Sequence, residues 1–278
     1  MDELVDSTFD KMFYPEAQLL GGIDESGVSD IAGPLVAACV ILPHIDTRRD
    51  DLKIFEVDDS KEIHKRWRKK HAEVIWQTAL AIGIGEVSPT EFDFLSRQDA
   101  TALAMFRAVV ACKSTRNGRV VKPGFLIVDG DFPANVATRQ AVIRDADAKS
   151  LCCASASIIA KVYRDGIMDK LHERYPFYDW INNKGAPNEY HFRGIDQHGI
   201  QAGIHRVRKW PFITNPQYAE DHIMWRRRRR VWRRVTLEKL GNEVGEGLWT
   251  QRPPLWTPLP NSRLQPQRVE RSGSDTRD

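Results

Sequence analysis

Residues 22–42 have the sequence GIDESGVSDIAGPLVAACVIL, and this stretch decides the fold. The apolar run LVAACVIL at residues 35–42 predicts a strand that is buried on both faces of a sheet. A shorter, mostly apolar run at residues 18–23 leads into Asp24 and Glu25, and a glycine turn follows. Because neighbouring residues of a strand point to opposite faces, these two acids can share one site only where their strand is ending. Gly27 permits such an ending.

Outward from this stretch, helical and strand-like patterns alternate along the chain. They predict an amphipathic helix within residues 61–80, a strand at 81–87, a helix from Ser88 to about Cys112, a strand at 125–128 and a long helix at 148–175. This order indicates an α/β domain built around one central sheet.

Composition excludes several classes of protein. The chain has 278 residues, of which 41% are hydrophobic and 28% charged, so it is not wholly disordered, collagen-like or a disulfide scaffold. Its four cysteines include no CxxC pair, which argues against a zinc ribbon. We find no apolar run of about 18 residues, and the acidic start MDELVDSTFDK lacks a signal region. We therefore expect a cytoplasmic protein with no membrane association.

Positive charge is concentrated near the C-terminus. Residues 213–278 contain 13 Lys and Arg against 8 Asp and Glu, and residues 225–234 have the sequence WRRRRRVWRR. Arginines in such a cluster suit phosphate contacts, and the tryptophans can stack on bases. The alternative is a solvated helix end whose tryptophans pack on the body of the protein. The candidate auxiliary contacts are Trp225, Arg226, Arg227, Arg228, Arg229, Arg230, Trp232, Arg233 and Arg234.

Carboxylates occur where strands are predicted to end. Asp24 and Glu25 follow one apolar run, and Asp129 ends another just before Gly130. Ligands gather at the carboxyl ends of strands in open α/β sheets. For any one of these acids alone, a role in a turn or loop cap is the alternative.

A further acid, Asp165, shares a helix face with the apolar residues Val162 and Met168. Its alternative role is a salt bridge to Lys161, four residues earlier. Four acids from three elements can hold two Mg²⁺ or Mn²⁺ ions about 4 Å apart, a pair that clamps the attacking water and the leaving oxygen of a phosphodiester.

Six motifs together resemble the ribonuclease HII family, in order and in spacing. They are GIDESGVSDIAGPLVAACVIL (22–42), DDSKEI (58–63), FLIVDG (125–130), DAKSLCCASASIIAKVYRDGIMDKLHERYP (147–176), NKGAPNEYH (183–191) and GIHRV (203–207). The resemblance spans roughly residues 19–212. It implies a ribonuclease H-like fold, in which a five-stranded mixed sheet is flanked by helices.

The resemblance also implies an activity and its residues. The family hydrolyses RNA in RNA–DNA hybrids and nicks DNA beside embedded ribonucleotides. It requires Mg²⁺ or Mn²⁺ and leaves 3′-hydroxyl and 5′-phosphate ends. Carried over by motif, the metal-binding and catalytic acids are Asp24, Glu25, Asp129 and Asp165, and the candidate substrate contacts are Gly27, Val28, Ser29, Lys61, Lys149 and Lys184. We expect a monomer that binds an RNA–DNA hybrid duplex.

Two motifs depart from the family's pattern. Gly27-Val28-Ser29 replaces Gly-Arg-Gly, and Ala186 replaces the tyrosine of Lys-Gly-Tyr. In the family these segments sense the junction between RNA and DNA, so we predict weakened recognition of a single embedded ribonucleotide. A catalytically inactive nucleic-acid-binding protein is the main alternative, and cleavage of DNA by the same site is a further one.

The sequence thus predicts four segments. Residues 1–17 form an N-terminal lead, 18–212 the ribonuclease H-like catalytic domain, 213–240 a basic helical extension and 241–278 a loose tail rich in proline and glycine.

Overall fold

A computed structural model describes residues 7–44 and 65–207, and these form a mixed six-stranded sheet with strand order β4-β3-β2-β1-β5-β6. The strands are β1 (Leu20–Ser26), β2 (Leu35–Ile41), β3 (Ala81–Val87), β4 (Lys113–Ser114), β5 (Phe125–Asp129) and β6 (Arg139–Ile143). The helices are α1 (Thr8–Lys11), α2 (Lys65–Thr78), α3 (Pro89–Phe94), α4 (Arg97–Val110), α5 (Leu151–Arg174), α6 (Trp180–Asn183) and α7 (Glu189–His198). Short 3₁₀ turns occupy Tyr14–Glu16 and Pro176–Tyr178.

Strand direction divides the sheet into two halves. β1 pairs in parallel with β5, and β5 in parallel with β6. The pairs β1–β2, β2–β3 and β3–β4 are antiparallel. The predicted mixed sheet flanked by helices is confirmed. It has one strand more than the five expected, because the two-residue β4 adds a short edge strand.

Both faces of the sheet are covered, which explains the continuous apolar sequence of β2. Val36 and Val40 belong to the core cluster shared with α5, whereas Leu35 and Cys39 belong to the cluster shared with α4. Side chains alternate along a strand, so a strand buried on both faces must be apolar at every position.

The long helix α5 lies directly against β1. A Cβ atom placed on Gly22 would lie 2.2 Å from the carbonyl carbon of Cys152, so a side chain at this position would force the helix away from the strand. Ser150 caps the helix by accepting a hydrogen bond from the amide of Cys153 at 3.2 Å. Close packing at Gly22 therefore fixes α5 relative to the end of β1.

The single helix expected between Ser88 and Cys112 is in fact two helices. Ser88 and Glu91 form a capping box at the start of α3, as the sequence predicts. Leu95 is extended, and the side chain of Ser96 caps α4 by accepting from the amide of Asp99. A second capping serine inside the segment thus starts a new helix.

Residues before β1 pack on the same core. Phe13 and Ala17 are buried in the cluster that contains α5. Asp10 is 1% exposed, and its carboxylate accepts a hydrogen bond from the amide of Cys152 at 3.0 Å. A carboxylate at a helix N-terminus stabilises the helix dipole, so this segment supports the start of α5.

Within the described ranges, no helix combines the length and the apolar character needed to cross a membrane.

Candidate active site

Three carboxylates converge at one edge of the sheet. Ile23 of β1 lies beside Val128 of β5, so the next residues, Asp24 and Asp129, are at the same level, where β5 ends while β1 continues to Ser26 beside β2. Asp147 lies in the turn before α5. One carboxylate oxygen from each of Asp24, Asp129 and Asp147 can be chosen such that all three lie within 4.8 Å of one another. We call these three residues together with Glu25 the acid cluster.

Hydrogen bonds hold the acid cluster in place. The carboxylate of Asp129 accepts from the amide of Ala146 at 2.6 Å and also from the amides of Gly130 and Asp147. These bonds fasten the 145–147 turn to the end of β5 and bring Asp147 to the cluster. On the other side, the Asp24 carboxylate accepts from the amide of Glu25 at 2.6 Å and from the Ser157 side chain on α5.

Burial and mutual repulsion raise the pKa values of the carboxyl groups in the acid cluster. Burial raises the pKa of Asp24 well above its usual range, and the charges of Glu25 and Asp129 raise it further. Burial and the Asp129 charge raise the pKa of Glu25 to about 7, although Arg97 opposes this shift. The pKa of Asp129 is also raised, chiefly by burial. A bound divalent cation would relieve this repulsion, and carboxylate oxygens are the ligands that Mg²⁺ and Mn²⁺ prefer.

Asp165, predicted from the sequence to join the metal ligands, lies elsewhere. It follows Ser157 by eight residues on α5, which corresponds to about 12 Å along the helix axis. Its carboxylate is bound by Lys161 at 2.8 Å and by Arg68 at 3.6 Å. The structure therefore has the salt bridge to Lys161 that the sequence left open as an alternative. Asp147, rather than Asp165, lies together with Asp24 and Asp129.

Two buried arginines hold the loop between β1 and β2, residues 27–34, which carries Gly27-Val28-Ser29. Arg164 donates to the carbonyls of Pro34 at 2.9 Å and Ala32 at 3.0 Å. Arg206 donates to the carbonyls of Gly33 at 2.9 Å and Gly27 at 2.7 Å. Both side chains bind backbone groups, so they fix the path of the β1–β2 loop through its carbonyls.

The three candidate contacts in this loop differ in their surroundings. Gly27 has φ +90°, and a Cβ atom there would lie 2.0 Å from Nε of Arg164, so only glycine fits. Val28 is half-buried against the core cluster shared with α4. Ser29 is exposed and does not have a positive φ, so the serine takes its place without backbone strain.

The candidate lysines also differ from one another. Lys149 is exposed two residues after Asp147, and its Nζ donates to the carbonyl of Arg144 at 2.6 Å. Lys184 is buried, and its ammonium pairs with Asp169 and donates to the carbonyl of Ile181. Lys149 is therefore exposed close in sequence to Asp147, whereas the Lys184 ammonium is buried and held by groups within the protein.

Lys61 and residues 225–234, with the candidate auxiliary contacts, lie outside the described residues.

Behind the β1–β2 loop, two buried histidines form a neutral hydrogen-bonded pair. His191 Nδ1 lies 2.9 Å from the carbonyl of Ala186 and therefore carries the proton. His191 Nε2 then accepts from Trp180 Nε1 at 3.0 Å and from His205 Nε2 at 3.2 Å. His205 Nδ1 accepts from the amide of Gln201 at 2.8 Å. When both rings are neutral, every ring nitrogen has a hydrogen-bond partner. The histidine pair therefore has a structural role.

Asp147 is the functional candidate that the sequence reasoning missed. It stands at the start of the motif DAKSLCCASASIIAKVYRD, immediately before the cap of α5. The sequence feature that could have identified Asp147 is its place as an acid in the best-matching motif, where the chain turns from β6 toward α5. The helical-face argument favoured Asp165 instead, since it did not include the rise along the helix.

The sequence matches the family model of Ribonuclease HII over residues 21–215. A Ribonuclease HII of Bacteroides thetaiotaomicron is 41% identical over 179 residues, which are 64% of this chain and 83% of that protein.

Two solved structures share the fold. Ribonuclease H2 from Pyrococcus horikoshii OT3 superposes with a TM-score of 0.57 at 22% identity, covering 75% of this chain and 99% of that one. Bst-RNase HIII in complex with Mn²⁺ superposes with a TM-score of 0.56 at 19% identity, covering 70% of this chain and 68% of that one. The predicted ribonuclease H-like fold is therefore confirmed.

Proposed function

Because the chain belongs to the ribonuclease HII family and is thus an endoribonuclease, we propose that it hydrolyses the RNA strand of RNA–DNA hybrids at the acid cluster. The observation that carries this proposal is that carboxylate oxygens of Asp24, Asp129 and Asp147 lie within 4.8 Å of one another where the parallel pairing of β1 with β5 ends. Glu25 completes the set. Asp165 is left out of it, since its carboxylate is already neutralised by two cationic side chains.

The donor set fits Mg²⁺ or Mn²⁺. All four groups are carboxylates, and besides burial the charges of neighbouring acids raise the pKa values of Asp24 and Glu25. The Mn²⁺ complex of a structurally similar ribonuclease supports the same ion type. Two such ions, when bound, activate the attacking water and stabilise the leaving 3′-oxygen.

The protein's own groups hold this arrangement before any cation arrives. Ser157 and the Glu25 amide orient the Asp24 carboxylate, and the backbone of the 145–147 turn orients Asp129. Lys149 is available to position a phosphate beside Asp147. Breakage of the bond between phosphorus and the 3′-oxygen leaves a 3′-hydroxyl and a 5′-phosphate.

Recognition of a single embedded ribonucleotide is weakened in this proposal. The Ala186 methyl group cannot stack on a sugar as an aromatic ring does, and the Ala186 carbonyl already accepts from His191. Val28 turns an apolar side chain toward the core cluster instead of offering a cationic group to the duplex. Both changes remove contacts without altering the acid cluster.

End-labelled duplexes test the proposal. The wild type and Asp129→Asn are incubated with a long RNA–DNA hybrid, with DNA that contains one ribonucleotide, and with pure DNA, each with Mg²⁺ and with Mn²⁺. We expect cleavage of the hybrid, loss of this cleavage in the variant, and slower cleavage at the single ribonucleotide. Binding of the hybrid by the wild type without cleavage would favour the inactive alternative instead.

A further inference from the structure

The first two turns of α2 are unusually basic. Their sequence contains Lys65, Arg66, Arg68, Lys69, Lys70 and His71 in addition to Trp67, whereas the only acid in the helix sequence is Glu73. No role in the acid cluster accounts for this concentration of charge. A cationic surface of this density attracts polyanions, of which nucleic acid is the most general.

An aromatic ring lies in the middle of this charge. Trp67 is 52% exposed, and Nζ of Lys70 lies 4.6 Å from the centre of its ring. Lys69 is exposed as well. The opposite side of the helix is different, because Ala72 and Ile75 are buried in the core cluster that contains α5. In this cation–π contact the Lys70 ammonium lies over one face of the Trp67 ring, and about half of the Trp67 side chain remains exposed.

The basic end of α2 lies at the same edge of the sheet as the acid cluster. Arg68 binds Asp165, whose neighbour Arg164 holds the carbonyls of the β1–β2 loop. The last turn of α2 leads to the opposite edge, where the amide of Leu80 donates to the carbonyl of Ile41 at 2.8 Å. The helix therefore points its cationic turns toward the edge where a nucleic acid in the acid cluster would be bound.

We propose that Trp67, Lys69 and Lys70 form a contact surface for the sugar–phosphate backbone of the duplex, beyond the segment that is cleaved. This proposal rests on the proposed function. The two ammonium groups contact phosphates, and the indole ring packs against a sugar beside the Lys70 ammonium, since Lys70 lies between Trp67 and Lys69 around the helix. Such contacts position the duplex and are independent of its base sequence.

A matched control exists on the same helix. Trp76 is 47% exposed, close to the value for Trp67, but it lies in the last turn among Glu73, Gln77 and Thr78. Truncation of either tryptophan removes a similar side chain from the surface of α2. Only truncation of Trp67 should affect a duplex bound at the acid cluster.

The experiment measures fluorescence anisotropy of a labelled RNA–DNA hybrid with the full chain in EDTA, so that binding is read without turnover. For Lys69→Ala/Lys70→Ala, we expect Kd to rise roughly tenfold or more at 0.1 M salt, and the slope of log Kd against log salt to fall by about 2. Trp67→Ala should raise Kd several-fold with little change in slope, Trp67→Phe should restore most of the affinity, and Trp76→Ala should bind like the wild type.

Several outcomes would overturn the proposal. If the lysine variant had the same Kd and salt slope as the wild type, the proposed contact surface would be wrong. If Trp76→Ala raised Kd as much as Trp67→Ala, the loss of affinity would come from a less stable helix. If Trp67→Ala raised Kd more for single-stranded DNA than for the hybrid, the indole ring would stack on bases and would not contact the sugar–phosphate backbone. Failure of the proposed function is distinguishable, because the wild type would then bind the hybrid without cutting it in Mn²⁺.

Discussion

Lowering the pH from 7.5 to 5 should destabilise the folded protein through His205. This histidine is 1% exposed, and burial together with the neighbouring His191 lowers its pKa to about 3. The hydrogen bonds give the reason. A proton added to Nδ1 would face the amide of Gln201, which already donates to that atom. Protonation in the folded state would therefore set two donors against each other.

The magnitude follows from linkage. An unfolded histidine takes up its proton near pH 6.5, whereas the folded one does not until about pH 3. The stabilisation is complete above pH 6.5 and is lost as the pH falls, because the unfolded state gains protons first. pH 5 lies about 1.5 pH units below the pKa of the unfolded histidine, so the free energy of unfolding falls by about 2 kcal/mol. His191, whose pKa is also lowered by burial, contributes in the same direction.

The assay is urea denaturation in EDTA at pH 7.5, 6 and 5, with the wild type and His205→Asn. Asparagine cannot titrate and keeps an acceptor near the amide of Gln201, but it leaves Nε2 of His191 without its histidine donor. The variant should be less stable at pH 7.5, and its deficit should shrink by about 2 kcal/mol at pH 5. Comparison with the wild type cancels the titration of the acid cluster. A deficit that stays constant across the three pH values would refute the neutral-pair assignment.

Three further predictions concern single side chains. Asp147→Asn should lower hybrid cleavage at least 10–100-fold and abolish the heat of Mn²⁺ binding in calorimetry. Asp165→Asn should leave Mn²⁺ binding intact. The reverse result would support Asp165 as the metal ligand, as the sequence predicts. Arg206→Lys should raise KM for the hybrid more than it lowers kcat, because one ammonium cannot hold both carbonyls of the β1–β2 loop, and unchanged steady-state kinetics would contradict this. Asp10→Ala should lower the free energy of unfolding by about 1–2 kcal/mol without changing kcat/KM, as read by urea denaturation beside the cleavage assay. A loss of activity at full stability would place Asp10 in the site instead.

The sequence was sufficient for those parts of the site that depend on strand ends. Asp24 and Asp129 each follow an apolar run and precede a glycine turn, and parallel pairing of β1 with β5 brings them together. Asp165 shows the limit of the same reasoning. Its position on an apolar helix face indicated burial, but its partner Arg68 comes from a helix 97 residues earlier in the chain. No local pattern indicates such a long-range ion pair.

Elements without a clear pattern were missed. β6 contains the exposed Arg139 and pairs on one side only, so it lacks the apolar run of a central strand. The burial of Arg164 was also unforeseen, because arginine is ordinarily found at the surface. Its burial becomes favourable only where several backbone carbonyls and Asp30 meet around one guanidinium, and that arrangement arises from the tertiary fold.

Under the proposed function, chemistry and substrate choice depend on different groups of this protein. The acid cluster depends on strand ends and on the 145–147 turn. The β1–β2 loop is held through its carbonyls by Arg164 and Arg206, so the side chains of Val28 and Ser29 can differ from the family's pattern without moving the backbone. Ala186 likewise keeps its hydrogen bond to His191 through a carbonyl that any residue supplies. Because both departures from the family occur where backbone atoms determine the structure, they alter what the protein offers to a duplex and leave the positions of the acids unchanged.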